Sequence, residues 1–232
     1  MDFTIAIPTY NGASRLPLVL DRLRLQVDLE TVTWEVIVID NNSTDETKHI
    51  VKTYEQDFPC PLKYCFEPKQ GAGYARKLAI KEAKSELIGF LDDDNIPDPN
   101  WIKAAIEFAQ DHPQAGAIGS QIHPDFDQPP HPDLKPLLPY FAICEWGQKP
   151  FQYDRMLPPS AGLVVRRQAW IECVPEKTIE TWVNHIPSLT LINKNDRSGS
   201  REYDERLPDP GYTKFPSLLY RDRARVHNHP LG

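Results

Sequence analysis

Short apolar runs alternate with amphipathic segments over the first 110 residues of the chain. Each apolar run is rich in β-branched residues and ends at a turn residue, which is typical of strands buried in a parallel sheet. The runs at 3–7, 34–40, 62–66 and 87–91 are predicted as strands. Apolar residues at helical spacing predict helices at 16–25, from about 45 onward, at 75–83 and at 101–108. This alternation predicts an α/β fold with a doubly wound, mostly parallel sheet.

The pattern changes after residue 110. Nine of the 23 prolines fall between Pro124 and Pro159, which predicts a loop-rich half. Strands are predicted at 115–119 and 162–165, and a helix from 166 onward. The long proline-rich connection between them includes Glu145 and Trp146 and is typical of an active-site loop.

Composition narrows the class of protein. With 232 residues, 40% of them hydrophobic and 25% charged, the chain is expected to form one large globular domain or a domain with an appendage. A net charge of −7 argues against nucleic acid as a nonspecific partner, because phosphate backbones bind basic surfaces. No leader peptide or spanning segment is recognised, so we expect a cytoplasmic protein whose four cysteines are reduced thiols.

Three consecutive carboxylates follow the fourth predicted strand directly. They are Asp92, Asp93 and Asp94, and Pro97 prevents the strand from continuing far beyond them. Adjacent carboxylates repel one another, so their placement at a sheet edge favours a site for a hard divalent cation, Mg²⁺ or Mn²⁺. The alternative is an acidic turn exposed to solvent.

Other polar residues are predicted at the same edge, because the carboxyl ends of parallel strands meet there. Asp40 ends the second strand, and Ser43 or Thr44 is predicted to cap the helix that follows. The third strand leads into a glycine-containing turn, and Arg76 follows early in the next helix, an arrangement that favours an anion site.

Five motifs follow one another along the chain: Pro8-Thr9-Tyr10-Asn11, the segment from Val38 to Asp45, Gly71-x-Gly73-x-Ala75-Arg76, Phe90-Leu91-Asp92-Asp93-Asp94, and Ser160-Ala161-Gly162 with Val165-Arg166-Arg167. In this order they resemble the motifs of the family 2 glycosyltransferases of GT-A fold, and the similarity covers about residues 3–172. The chain most resembles the cyanobacterial-type members that act in polysaccharide biosynthesis.

The resemblance implies a role for each matching residue. Asp40 is expected to contact the nucleobase or ribose of a nucleotide sugar, and Asp92 the ribose. Asp94, with Asp92, is expected to bind the metal, while Asp93 occupies the variable middle position. Arg76 is expected near the diphosphate. The remaining predicted substrate-binding residues are Pro8, Thr9, Tyr10, Asn11, Gly73 and Gly162.

The resemblance also implies the reaction and the domain plan. We expect metal-dependent, inverting transfer of a sugar from a UDP- or GDP-sugar to a glycan or lipid-linked acceptor, in the cytoplasm or peripherally at the inner face of the membrane. Residues 1–175 are predicted to form the GT-A domain, with a nucleotide-binding half (1–110) and an acceptor-side half (111–175). An atypical tail, 176–232, follows.

The chain departs from its relatives in one respect. The family's catalytic base is usually an aspartate in a Glu-Asp pair, and no such pair follows Gly162. Asp204 and Glu205 belong to the nearest acidic cluster and are the candidate base, so transfer is expected to be weak or absent. Two alternatives stay open, a nucleotidyltransferase of similar fold and a donor-binding protein without catalysis.

Overall fold

The computed structural model describes residues 1–124, 131–133, 143–144, 150 and 158–174, and the backbone of 217–220. Strands and helices alternate through most of this part of the chain, as the apolar pattern predicts. In chain order the elements are β1 (Phe3–Thr9), α1 (Leu16–Arg24), β2 (Trp34–Asp40), α2 (Thr47–Tyr54), β3 (Leu62–Phe66), α3 (Ala72–Glu82), β4 (Leu87–Phe90), β5 (Asn95–Pro97), α4 (Trp101–Asp111), β6 (Ala117–Ile118), β7 (Gln121–Pro124), β8 (Val164–Arg166), α5 (Arg167–Cys173) and β9 (Ser217–Tyr220).

Six strands form the main sheet, in the order β3-β2-β1-β4-β8-β6. The first four pair in parallel, which confirms the predicted parallel arrangement. β8 joins β4 in the antiparallel direction, and β6 is antiparallel to β8. The carboxyl ends of β1, β2 and β4 therefore lie side by side at one edge of the sheet.

Helices cover both faces of this sheet, because alternate residues of each strand point to opposite sides. Phe3, Ile5 and Ile7 of β1 pack on one face with residues of α1, α2 and α4. Ala6 packs on the other face with residues of α3 and α5. Every residue of β2 is buried, as expected for a strand covered on both sides.

Several element boundaries differ from the predicted ones. α2 begins at Thr47, and neither Ser43 nor Thr44 caps it; the helix has no side-chain cap at its preceding residue. The Oδ1 of Asp45 instead accepts the Thr47 amide hydrogen at 3.0 Å. α3 begins at Ala72, three residues before the predicted start, because the glycine turn leads straight into the helix.

A small second sheet contains a strand that the apolar pattern does not predict. Its order is β5-β9-β7, so β9 from the C-terminal tail lies between two strands of the globular domain. β9 is antiparallel to β5 and parallel to β7. Residues 217–220 of the predicted tail are therefore paired as a strand with two strands from the rest of the chain.

The cysteines Cys60, Cys65, Cys144 and Cys173 are reduced thiols, as predicted. Burial, the main cause, raises the pKa of Cys60 to about 12, so this thiol is protonated at neutral pH. Within the described part of the chain, no helix combines the length and apolarity that crossing a membrane requires.

Candidate active site

A cavity of about 440 Å³ opens at the edge of the sheet where β1, β2 and β4 end. Its walls come from the loop after β1, the end of β2, the first turns of α3, the acids after β4 and the loop before β8. The lining residues are Pro8, Thr9, Tyr10, Arg15, Asn41, Ala72, Ala75, Arg76, Asp92, Asp93, Asp94, Pro159, Ser160 and Ala161.

The loop after β1 is fastened to the loop after β2. The Asn11 amide donates to the Ser43 hydroxyl at 2.9 Å, and the Asn11 side-chain oxygen accepts the Thr44 amide hydrogen at 2.9 Å. Asn11 adopts a positive φ of 49°, a conformation that asparagine tolerates. Asn11 thus lies behind the cavity wall and holds it in place.

Gly12 is required at its position by close packing. A Cβ atom there would overlap the Thr9 hydroxyl and lie 2.7 Å from Oδ2 of Asp93. The Gly12 amide donates to the Thr47 hydroxyl at 2.9 Å. The first loop can therefore approach the acidic triplet only with glycine at this position.

The middle acid of the triplet, Asp93, differs from the two outer acids because other side chains of the protein bind it. Asp93 accepts hydrogen bonds from Nε and Nη2 of Arg15, both at 2.8 Å, and from the Thr9 hydroxyl. Its side chain is 11% exposed, and that of Arg15 is 41% exposed. Asp93 is therefore a paired carboxylate that joins the acidic triplet to the first loop.

The two outer acids lack such strong partners. Nη2 of Arg76 lies 3.8 Å from Oδ1 of Asp92, and burial raises the pKa of Asp92 despite this nearby cation. Burial, followed by repulsion from Asp92 and Asp93, raises the pKa of Asp94 to about 6. An incoming cation would relieve both causes, because it replaces lost solvation and neutralises the acids.

The donor set fits a hard divalent ion. The described residues contain no ready-made group of three or more His, Cys, Asp or Glu ligands, since Asp93 is taken up by Arg15. Asp92 and Asp94 still offer two carboxylates to the cavity. Mg²⁺ and Mn²⁺ are commonly bound by one or two carboxylates, with the other positions filled by phosphate oxygens and water.

Arg76 supplies positive charge beside these acids. Its side chain is 17% exposed, its Nε is buried without a hydrogen-bond partner, and burial lowers its pKa. A buried guanidinium with an unused donor is costly unless an anion completes its contacts. The arrangement therefore suits a bound phosphate group.

Asp40 ends β2 and Asn41 follows it, but the two side chains occupy different places. Asp40 is 2% exposed and lies behind the wall, where it accepts hydrogen bonds from the Ser43 amide at 2.8 Å and the Tyr64 hydroxyl at 2.6 Å. Asn41 lines the cavity and accepts the Gly71 amide hydrogen at 2.6 Å. Its Nδ2 donates to the Lys69 carbonyl at 2.8 Å, in the loop before α3. Asn41 therefore holds this loop in position.

Two predicted glycines shape the wall from behind. Gly73 lies in the first turn of α3, whereas Ala72 and Ala75 line the cavity. Gly162 has a positive φ of 68°, and its amide donates to the Phe90 carbonyl at 2.8 Å. This turn presents Ser160 and Ala161 to the cavity.

The structure brings most of the predicted residues to one cavity. Pro8, Thr9, Tyr10, Arg76, Asp92, Asp93 and Asp94 line it, while Asn11, Asp40, Gly73 and Gly162 lie outside its lining. The candidate bases Asp204 and Glu205, and the loop with Glu145 and Trp146, are outside the described residues.

Sequence reasoning missed Arg15, Asn41 and the packing role of Gly12. Arg15 directly precedes the amphipathic helix α1, where a cation is unfavourable beside the positive helix end. That misfit is a signal that an acid from elsewhere in the chain pairs with it. The pairing of Asn41 with the loop before α3 leaves no comparable signal.

Comparison with known proteins decides the family. The model of the family described as glycosyl transferase family 2 matches residues 4–169, which is most of the chain. The chain belongs to glycosyl transferase family 2. This match confirms the family that the motifs predict.

Two curated relatives illustrate the similarity. A poly(ribitol-phosphate) beta-N-acetylglucosaminyltransferase, TarS of Staphylococcus aureus, is 31% identical over 112 residues, which are 48% of this chain and 19% of TarS. Validoxylamine A glucosyltransferase of Streptomyces hygroscopicus is 30% identical over 162 residues, which are 67% of this chain and 37% of the relative. The chain thus spans well under half the length of these relatives.

Solved structures give the fold. S. aureus TarS 1-349 in complex with UDP matches with a TM-score of 0.56 and 22% identity, over 74% of this chain and 48% of that one. The mannosyltransferase PcManGT of Pyrobaculum calidifontis, solved with GDP-Man and Mn²⁺, matches with a TM-score of 0.56 and 21% identity, over 75% and 46%. The family 2 chain has the GT-A fold.

Proposed function

We propose that this family 2 chain binds a nucleotide sugar in the cavity and transfers its sugar, with inversion, to an acceptor hydroxyl. The observation that carries the proposal is the placement of Arg76, Asp92 and Asp94 on one cavity wall. A buried cation with a free donor and two carboxylates suit a diphosphate together with a divalent ion. Tyr10 lines the same cavity, and its exposed ring offers a contact surface to a nucleoside.

The positions suggest how the donor lies. The diphosphate would contact Arg76 and the N-terminal turn of α3, where free amides and the helix dipole favour an anion. Asp94 and Asp92 would hold Mg²⁺ or Mn²⁺, and Asp92 would also reach the ribose. Asp40 supports the base pocket, and it contacts the base itself only if the Tyr64 hydroxyl moves away.

The reaction is a single displacement at the anomeric carbon. The acceptor oxygen forms a bond to that carbon while the bond to the diphosphate oxygen breaks, and the electron pair leaves with the nucleoside diphosphate. When bound, the divalent ion supplies charge stabilisation for this leaving group. Arg76 stabilises the same charge from the protein side. The acceptor proton passes to a base, which we assign to Asp204 or Glu205.

The acceptor and the setting follow from the same proposal. TarS is named for a polymer acceptor, poly(ribitol-phosphate), and this supports a glycan or lipid-linked acceptor in polysaccharide biosynthesis. A neighbour solved with UDP and another with GDP-Man and Mn²⁺ support a UDP- or GDP-sugar as donor. We place the protein in the cytoplasm, or peripherally at the inner face of the membrane.

Thermal unfolding with candidate donors tests the binding step. UDP, GDP and their sugars are added with Mn²⁺, with Mg²⁺ or with EDTA, because a ligand that binds the native state raises its melting temperature. We expect one base to stabilise the protein more than the other, and only with a divalent ion. No stabilisation by any nucleotide would refute the proposal.

A transfer assay tests the catalytic step. Donor binding with turnover that is lost in Asp204→Asn or Glu205→Gln, at unchanged donor affinity, would support the assigned base. Binding without any turnover over a panel of glycan acceptors would instead favour a donor-binding protein without catalysis.

A further inference from the structure

We propose that Arg15 is a positioning residue for the donor site, an inference that rests on the proposed function. Arg15 neutralises the middle acid of the triplet and holds the first loop against it. Two consequences follow for ligands. The segment with Thr9 and Tyr10, which we call the nucleoside wall, keeps its place relative to the acids. The triplet also presents two negative charges to a cation instead of three.

The contact between Arg15 and Asp93 is a two-point fork. Nε donates to Oδ1 and Nη2 donates to Oδ2, each at 2.8 Å. A planar guanidinium in this geometry fixes the carboxylate in direction as well as in distance. Because Asp93 lies between Asp92 and Asp94, this contact also anchors the backbone segment that carries the two outer acids.

The same guanidinium reaches the nucleoside wall. Nη2 of Arg15 also donates to the Tyr10 carbonyl at 3.1 Å, and the Thr9 hydroxyl donates to Asp93. Close packing of Gly12 against Thr9 and Asp93 leaves no space between loop and triplet. One side chain thus joins the wall expected to hold the nucleoside to the acids expected to hold the cation.

Charge gives the second consequence. Asp93 is the main cause that raises the pKa of Arg15, with Asp94 as a further contributor, so the cation acts on more than its direct partner. Without Arg15, three carboxylates would face a cavity whose other cation, Arg76, lies beside Asp92. A bare divalent ion would then bind more tightly, since the loss of Arg15 leaves one more unpaired negative charge at the cavity.

Titration with a nucleoside tests the positioning of the wall, with uridine as the ligand, or guanosine in its place throughout if GDP stabilises the wild type more than UDP does. Uridine has no phosphate, so a lost phosphate contact cannot explain a change in its affinity. We expect Arg15→Ala to weaken uridine binding about 10-fold, the order of coupling between contacting residues, and Arg15→Lys to weaken it less. Unchanged uridine affinity in Arg15→Ala would overturn this part of the proposal.

The matched control is Arg24→Ala, at the other end of α1. Arg24 pairs with Asp57 at 2.5 Å and lies over the Tyr54 ring, away from the cavity. Its removal is expected to lower the melting temperature without changing uridine affinity. Affinities are compared at a temperature where every variant is folded, so that stability and binding are separated.

Mn²⁺ binding without nucleotide tests the charge, measured by the electron paramagnetic resonance of free Mn²⁺. We expect Arg15→Ala to bind Mn²⁺ about 2- to 5-fold more tightly than wild type, the effect of one screened charge. The double variant Arg15→Ala/Asp93→Asn should return to the wild-type affinity, because the freed charge is gone. If Arg15 only supported the fold, the second substitution would not restore the wild-type Mn²⁺ affinity.

The outcomes separate this inference from the proposed function. If wild-type protein binds no nucleoside or nucleotide, the proposed function fails. If wild type binds uridine and Arg15→Ala binds it equally well, only the positioning role fails. Equal Mn²⁺ affinities in wild type and Arg15→Ala, including no binding by either, would refute the charge role.

Discussion

Asp94→Asn is expected to stabilise the protein at neutral pH while removing metal-dependent nucleotide binding. Burial and the neighbouring carboxylates raise the pKa of Asp94 from 3.8 to about 6 in the folded protein. The folded state therefore holds the proton more tightly than the unfolded state does. Stability from this group is fully present below pH 3.8 and is lost as the pH rises through about 6.

The size of the effect follows from this interval. The difference between about 6 and 3.8 corresponds to about 3 kcal/mol in the free energy of unfolding. Because the side chain is partly exposed, solvent screening reduces the expected gain to about 1 to 2 kcal/mol. The side-chain oxygen of the new asparagine can still accept a hydrogen bond from Nδ2 of Asn95, which lies 3.4 Å from Oδ1 of Asp94 in the wild-type protein.

Urea unfolding at pH 7 and at pH 4, with EDTA present, measures this gain. We expect Asp94→Asn to be more stable than wild type at pH 7 and nearly equal to it at pH 4. Mn²⁺ with UDP should then raise the stability of wild type and leave that of the variant unchanged.

Asp93→Asn is the matched control, with the same substitution one residue away. It is expected to lower the free energy of unfolding by about 1 to 3 kcal/mol, because the Arg15 fork and the Thr9 bond lose their charged acceptor. If Asp94→Asn is as destabilising as Asp93→Asn at pH 7, the reasoning about the outer acid is refuted.

Four further substitutions test other parts of the site. Gly12→Ala should lower the free energy of unfolding by about 1 to 3 kcal/mol, measured in urea, since its Cβ would overlap a neighbouring hydroxyl. Asp40→Ala should weaken uridine and UDP alike in calorimetric titrations, whereas Arg76→Ala should weaken UDP only. If Asp40→Ala loses stability but keeps uridine affinity, its role is structural. Asn41→Ala should speed hydrogen exchange at the Gly71 amide, its partner at 2.6 Å, and equal exchange rates would contradict that role.

The sequence by itself indicates most of the main sheet and its two helical layers. Apolar runs such as that of β2 identify buried strands because burial on both faces demands apolar residues at successive positions. The same local pattern places Asp40 and the acidic triplet at strand ends. Parallel pairing then brings those ends to one edge without further information.

Some features escape local patterns because they depend on pairing between distant segments. Arg15 and Asp93 are 78 residues apart, and the sequence near either residue does not indicate which residue it pairs with. β9 is only four residues long, and so short an apolar run does not by itself distinguish a strand from a helix. It becomes a strand because β5 and β7 offer backbone groups on both sides of it.

Tertiary structure likewise decides which acid of the triplet pairs with protein groups and which acids are available to a cation. In sequence Asp92, Asp93 and Asp94 are three equivalent carboxylates at a strand end. In the fold, the loop after β1 brings Arg15 and Thr9 to the middle acid. All three acids line the cavity, but only the outer two are left for a cation, because a single guanidinium fork occupies both oxygens of only one carboxylate.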